Sequence, residues 1–199
     1  LMIDIQNIEI SKPYDLFKSF YFKALSQNQP NIDALAISSF NQPKKEVNSR
    51  FVNLKYIKKN NWTFFSNYSS NKSLDFNSHQ QISALFFWNK INLQIRMNAT
   101  IKEINKVESD NYFLKRDEQK NALAISSMQS QKISSYKKVK DKFNIVKNNS
   151  DLTKRPKYWG GYSFTPYYFE FWEGQDSRVN KRKVYELKNK KWESYYLEP

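Results

Sequence analysis

Along residues 12–26 apolar side chains recur at helical spacing, with Leu16, Phe17, Phe20, Tyr21, Ala24 and Leu25 on one stripe. Ser11 stands where a cap belongs and Pro13 falls in the first turn, so the pattern predicts an amphipathic helix. After a polar linker at residues 27–31 the period shortens. Short β-like runs follow at 34–40, 50–57, 62–66, 82–88 and 91–104, with Asn89-Lys90 as a tight hairpin turn. A short helix is predicted around Ser69 to Phe76, and a second opens at the Ser109-Asp110 pair and runs to Arg116. Helical segments continue through 119–146, a loop spans 147–157, and strands return at 167–173, 183–187 and 191–197. Strands joined by tight turns, without βαβ alternation, predict one mainly β domain over residues 1–199: an antiparallel barrel with peripheral helices.

Composition narrows the chemistry mainly by what is missing. The chain has no cysteine, which excludes disulfides, thiolate metal sites and cysteine nucleophiles. Its one histidine, His79, reads as an exposed residue near a strand start, and no metal site is expected. The three glycines, Gly160, Gly161 and Gly174, cannot form a Rossmann fingerprint or a P-loop. A phosphorylated ligand must therefore be held by side chains. The balance of 33 basic and 19 acidic residues gives a net charge of +14, which attracts polyanions. The surplus is largely lysine in a chain biased toward Lys, Asn, Ile and Ser, so it argues only weakly for nucleic acid. The six arginines, at 50, 96, 116, 155, 178 and 182, are the better guide, because a planar guanidinium grips phosphate in a bidentate way that lysine cannot copy. No apolar run is long enough to cross a bilayer and the first residues carry no export pattern, so a cytoplasmic protein without a membrane partner is expected.

The arginine-bearing segments resemble, in order, the motifs of the pyridoxamine 5′-phosphate oxidase family. Asp15-Leu16-Phe17 with Pro30-Asn31-Ile32-Asp33-Ala34 resembles its N-terminal helix and first strand approach. Ser49-Arg50-Phe51-Val52-Asn53-Leu54-Lys55 is similar to the strand that carries a flavin arginine and a substrate lysine. Phe64 to Lys72 resembles the flavin-phosphate turn, Leu93-Gln94-Ile95-Arg96 the strand with the flavin glutamine, and Tyr112-Phe113 with Arg116 the substrate-phosphate segment. Gln129-Ser130 resembles a further flavin contact. Arg155 to Tyr162, Glu170-Phe171-Trp172-Glu173-Gly174 and Arg178-Val179-Asn180-Lys181-Arg182 resemble the C-terminal signature, at about 159–199.

The resemblance implies an FMN-binding split β-barrel homodimer with FMN at the interface. It implies oxidation of pyridoxamine or pyridoxine 5′-phosphate to pyridoxal 5′-phosphate, with oxygen reduced to hydrogen peroxide. Carried over by position, Arg50, Lys55, Phe65, Ser66, Asn71, Lys72, Gln94, Gln129, Ser130, Trp172 and Arg182 would bind the cofactor. Lys55, Tyr112, Arg116 and Lys120 would hold the substrate, and Arg178 with Asn180 would act at the reacting centre. Three positions depart from the family pattern: Asn71 replaces an arginine, Lys120 a serine, and Asn180 a histidine. An amide at 180 can hydrogen-bond but carries no proton at neutral pH. The alternative reading is a barrel that binds flavin or a B6 phosphate with little oxidase activity.

Overall fold

The computed structural model describes residues 2–199. In chain order the elements are β1 (Asp4–Gln6), α1 (Lys12–Ser26), β2 (Ala34–Asn41), β3 (Glu46–Asn53), β4 (Tyr56–Lys58), β5 (Asn61–Asn67) and α2 (Asn71–Ser78). Then come β6 (Gln81–Trp88), β7 (Leu93–Glu103), α3 (Lys106–Leu114), α4 (Glu118–Ser126), α5 (Tyr136–Asn149), β8 (Trp159–Glu173), β9 (Lys181–Lys188) and β10 (Lys191–Leu197).

The ten strands form one sheet in the order β1-β4-β5-β8-β7-β6-β2-β3, with β9 and β10 added beside β8. All pairs are antiparallel except β1 with β4. The barrel is split: β1 and β3, the two ends of the main path, do not pair with each other among the described residues. β8 is the hub. Its first half, Trp159–Phe164, pairs with β5, its second half, Tyr168–Glu173, pairs with β9, and β7 runs along its other edge.

Strict in-out alternation along β2, β6 and β7 buries Leu35, Ile37, Ala84, Phe86, Ile95 and Met97 on one face. α1 closes that face. Its stripe Tyr14, Phe17, Phe20, Tyr21 and Ala24 is buried, and the Phe17 ring stands edge-on to Trp62 at 4.5 Å and 5.8 Å from Trp88. Phe17→Ala removes a fully buried ring from this junction and is expected to cost about 3–5 kcal/mol, read as a lowered denaturation midpoint at unchanged slope.

The helix at 12–26 forms with the predicted bounds, although the Ser11 hydroxyl donates to Glu9 instead of capping. Elsewhere tertiary pairing redrew the elements. The run at 50–57 is two strands, because at buried Leu54 and at Lys55 the chain leaves β2 and the backbone amides donate to Asp33 and Thr63. The helical stretch after 118 is broken at 127–135, where Ser130 adopts a left-handed φ of 72°. α3 begins earlier than Ser109, capped by Asn105, whose side chain accepts the Glu108 amide at 2.7 Å. β8 begins at 159, eight residues earlier than predicted. Gly160 and Gly161 sit inside that strand because a Cβ there would collide with Tyr68 and Ile104. His79 is half-buried rather than exposed, at the C-terminus of α2 with Phe40 edge-on at 5.7 Å.

Candidate functional site

A cleft of about 510 Å³ opens where β3, β5, α2, α3, α4 and the start of β8 meet. It collects eight of the predicted site residues: Lys55, Phe65, Ser66, Lys72, Tyr112, Arg116, Lys120 and Gln129. Lys115, Asp117 and Trp159 also line it and were not predicted as site residues.

One wall is the turn from β5 into α2. The Asn67 carbonyl accepts the Ser70 and Ser73 hydroxyls at 2.7 and 2.8 Å, and the Asn67 side chain accepts the Ser69 amide at 2.7 Å and donates to the Ser127 carbonyl. This knot aims Lys72 inward, where its Nζ donates to the Ser66 and Ser70 hydroxyls at 3.0 Å each. Burial, with the neighbouring Arg50 charge, pushes the Lys72 ammonium down to about 8. No carboxylate pairs with it among the described residues.

Arg50 lies behind this wall rather than lining the cleft. Its guanidinium donates to Ser39 at 2.6 Å and to Asp75 at 3.2 Å, and buried Asp75 also accepts from Ser39 and Asn41. Asn71 is exposed at the first turn of α2, and Ser130 lies in an adjoining groove of about 230 Å³ between α4 and α5, which shares Gln129 with the cleft.

The opposite wall is an aromatic ladder. Tyr112 stacks on Phe65 with centroids 3.7 Å apart, Phe65 lies parallel to Trp159 at 5.2 Å, and the Arg116 guanidinium sits 4.4 Å from the Trp159 ring centroid. Lys55, at the cleft edge, is paired with the buried Asp33 at 3.2 Å.

A second cleft, of about 250 Å³, shares no lining residue with the first. Gln94, Trp172 and Arg182 are register partners across β7, β8 and β9, so they form one row on one face of the sheet. The next row holds Arg96 opposite Glu170. Glu170, buried among aromatic strand residues, accepts from Arg96, from Arg182 Nε at 2.8 Å and from the Tyr168 hydroxyl. Asp75, Asp33 and Glu170 were not recognised from sequence as site carboxylates. The signal was present for Glu170: a charge inside the apolar run 167–173 demands a cationic partner on a neighbouring strand.

Arg178 and Asn180 lie in neither cleft. They belong to the loop joining β8 and β9, where the Asn180 side chain accepts the Gln175 amide at 3.1 Å and exposed Arg178 holds a left-handed φ of 61°. Arg155 has a structural place, linking Asp110 of α3 to the Trp159 carbonyl. Of the six arginines, four are paired with carboxylates, and only Arg116 and Arg178 lack such a partner among the described residues.

A protein of Leptospira biflexa named pyridoxine/pyridoxamine 5′-phosphate oxidase is 33% identical over 189 residues, which cover 94% of this chain and 89% of the relative. The chain belongs to the pyridoxine/pyridoxamine 5′-phosphate oxidase family. A second relative of that name, from Cytophaga hutchinsonii, is 32% identical over 99% of this chain and 93% of its own length. The family model for the pyridoxine 5′-phosphate oxidase C-terminal dimerisation region matches residues 159–199, the stretch predicted as the C-terminal signature. In fold, the chain is similar to PhzG from Burkholderia lata 383, with a TM-score of 0.90, 22% identity and coverage of 95% and 93% of the two chains. It is also similar to a pyridoxamine 5′-phosphate oxidase-related, FMN binding protein from Nostoc punctiforme, with a TM-score of 0.77, 13% identity and coverage of 92% and 97%. The expected split-barrel fold is thus the fold observed, and membership of an oxidase family follows from the sequence relatives.

The Lys72 environment sets a pH dependence. A phosphate anion binds best to the ammonium form, which burial and the Arg50 charge make easier to deprotonate than an ordinary lysine. For a phosphate monoester such as FMN, affinity is expected to fall by up to about tenfold per pH unit above about pH 8, with uptake of a proton on binding. Fluorescence-quench titrations from pH 7 to 9.5 measure this, with riboflavin, which lacks the phosphate, as the flat control.

Proposed function

We propose that this protein catalyses FMN-dependent oxidation of pyridoxamine 5′-phosphate or pyridoxine 5′-phosphate to pyridoxal 5′-phosphate, with oxygen reduced to hydrogen peroxide, and that it works as a homodimer. The observation that carries this reading is the 510 Å³ cleft, in which Lys72 and Arg116 converge with Ser66, Gln129 and Lys120 and neither cation forms an ion pair with a carboxylate among the described residues. Such a donor set suits phosphate esters and needs no glycine-rich loop.

The residues present fit FMN. Lys72, Ser66 and Gln129 would hold its phosphate, and Gln94, Trp172 and Arg182 its ring system. These two groups lie in separate clefts of one chain, so a complete site calls for a second copy. Trp172 and Arg182 fall within the stretch matched by the dimerisation-region model, which supports that arrangement. Bound FMN supplies the hydride acceptor that no side chain of this protein can provide.

The remaining work belongs to the protein. Tyr112, Arg116 and Lys120 bind the substrate phosphate, so remote binding energy positions the reacting carbon. Arg178, on its strained loop, orients the substrate. Asn180 pins that loop through the Gln175 amide, a task that needs a hydrogen-bond acceptor and no proton transfer. The second reading, a binding protein with little oxidase activity, is favoured by the same engagement of Asn180, which leaves no titratable group at that position.

A visible spectrum of the FMN-loaded protein tests the proposal. Flavin absorbance that bleaches anaerobically with pyridoxamine 5′-phosphate and returns with air is the expected result. Flavin that stays oxidised supports the second reading, and failure to bind FMN overturns both.

A further inference from the structure

Arg116 is half-buried, and an arginine partly withdrawn from water normally finds a carboxylate. Its only hydrogen-bond partner among the described residues is neutral: NH1 donates to the Asn121 Oδ1 at 3.2 Å. Asn121 is 3% exposed, and its Nδ2 donates to the carbonyls of Phe113 and Leu152 at 3.0 Å each. With both amide hydrogens committed, Oδ1 is fixed as the end that faces Arg116. On the other side, the Arg116 guanidinium lies against Trp159, whose ring is held by the Phe65–Tyr112 stack and by Phe113 edge-on at 5.2 Å. Burial lowers the affinity of Arg116 for its proton and outweighs the opposing influence of Tyr112 and of Asp117, a cleft residue whose carboxylate caps α4 instead of pairing with the arginine.

We infer that Asn121 and Trp159 are positioning residues that hold the Arg116 guanidinium for an incoming phosphate monoester without cancelling its charge. A carboxylate at 121 would hold the arginine equally well in geometry but would compete with the ligand for it. The neutral amide and the aromatic face keep orientation and charge together, so the phosphate meets a preorganised cation. Lys115 and Lys120, at the same end of the cleft, have no carboxylate partner among the described residues, and the anion draws on them as well. The inference rests on the proposed B6-phosphate reading of this cleft, and the experiment separates the two.

The test compares FMN-loaded wild type with Asn121→Asp and Asn121→Ser, reading KM and kcat for pyridoxamine 5′-phosphate and, independently of turnover, pyridoxal 5′-phosphate binding followed by its own absorbance. Asn121→Asp is expected to raise KM and weaken product binding by about tenfold or more, with a much smaller change in kcat, because it gives Arg116 an internal counter-ion. Asn121→Ser, which loosens the arginine but leaves its charge free, is expected to cost about threefold. The Asp deficit is confined to phosphate esters and is absent for unphosphorylated pyridoxal, which a purely structural defect would not give. Equal effects of Asp and Ser, or wild-type binding by Asp, overturn the inference. Where Asn121→Asp does not fold, Trp159→Leu against Trp159→Phe decides: loss of phosphate-ester binding in Leu with retention in Phe supports it, and equal binding in both overturns it. Failure of the wild type to bind or oxidise B6 phosphates is a different outcome, which removes the functional reading itself.

Discussion

Lys72→Met is expected to weaken FMN binding by about 10- to 100-fold while leaving the flavin-free protein as stable as wild type or more so. The first half follows from the loss of a charge-assisted bond to phosphate, worth about 1.5–3 kcal/mol. The second half follows from what Lys72 endures without ligand: its ammonium is desolvated, has Arg50 as a like-charged neighbour and touches only the hydroxyls of Ser66 and Ser70. A lysine whose pKa falls on folding disfavours the folded state. That penalty is full below about pH 8 and is relieved as pH rises toward the ordinary lysine value of 10.5. Because water still reaches part of the side chain, the gain from Met is about 1 kcal/mol at pH 7. Thermal melts of both proteins without flavin should therefore show Lys72→Met melting no lower at pH 7, with the gap closing above pH 10. A variant that loses FMN and also melts well below wild type would mean that Lys72 serves the fold and not the ligand.

Removing the Glu170 carboxylate should markedly destabilise the protein. Glu170 is 5% exposed and takes hydrogen bonds from Arg96, Arg182 and Tyr168. In Glu170→Ala two guanidinium groups, on the strands that flank β8, lose their shared counter-ion and face each other across an emptied site. Deleting one member of a buried ion cluster costs about 3–5 kcal/mol. Half-exposed Arg96 can turn to water, which places the expected loss near the lower end, about 3 kcal/mol, or roughly 10 °C in melting temperature. Gln94 and Trp172 share the face that Arg182 and Glu170 frame, so the variant should also bind FMN more weakly than wild type. Glu170→Gln keeps an acceptor for one arginine and should fall between the two. A melting temperature within 2 °C of wild type for Glu170→Ala would show that the two arginines reach solvent and that the cluster contributes little.

The two carboxylates that matter most, Asp75 and Glu170, explain why the arginines were legible in sequence and their partners were not. Arg50, Arg96 and Arg182 stand out because arginine is scarce in a lysine-rich chain. Which acid holds each of them depends on strand register and on where α2 packs, and no local pattern carries that. The same holds for Asn121, which in sequence is one asparagine among many and in the fold is a buried amide with all its hydrogen bonds assigned. His79 went the other way: it reads as solvent-exposed near a strand start, yet the turn after α2 lays it against Phe40.

Local periodicity was enough for α1 and for the alternating strands β2, β6 and β7, because there the burial pattern is written in spacings of about 3.6 and of 2 residues. Cysteine, glycine and histidine counts already excluded thiolate, glycine-loop and histidine-cluster sites, so that a phosphorylated ligand would have to be held by other side chains. Only the tertiary structure decided that β8 starts at Trp159, that 127–135 breaks a helix, and that the predicted ligand residues fall into two clefts. These outcomes come from contacts between residues far apart in the chain, such as Phe65 with Trp159 and Gln94 with Trp172. Their free energy depends on strand pairing and shared burial, which a single segment cannot express until its partners are in place.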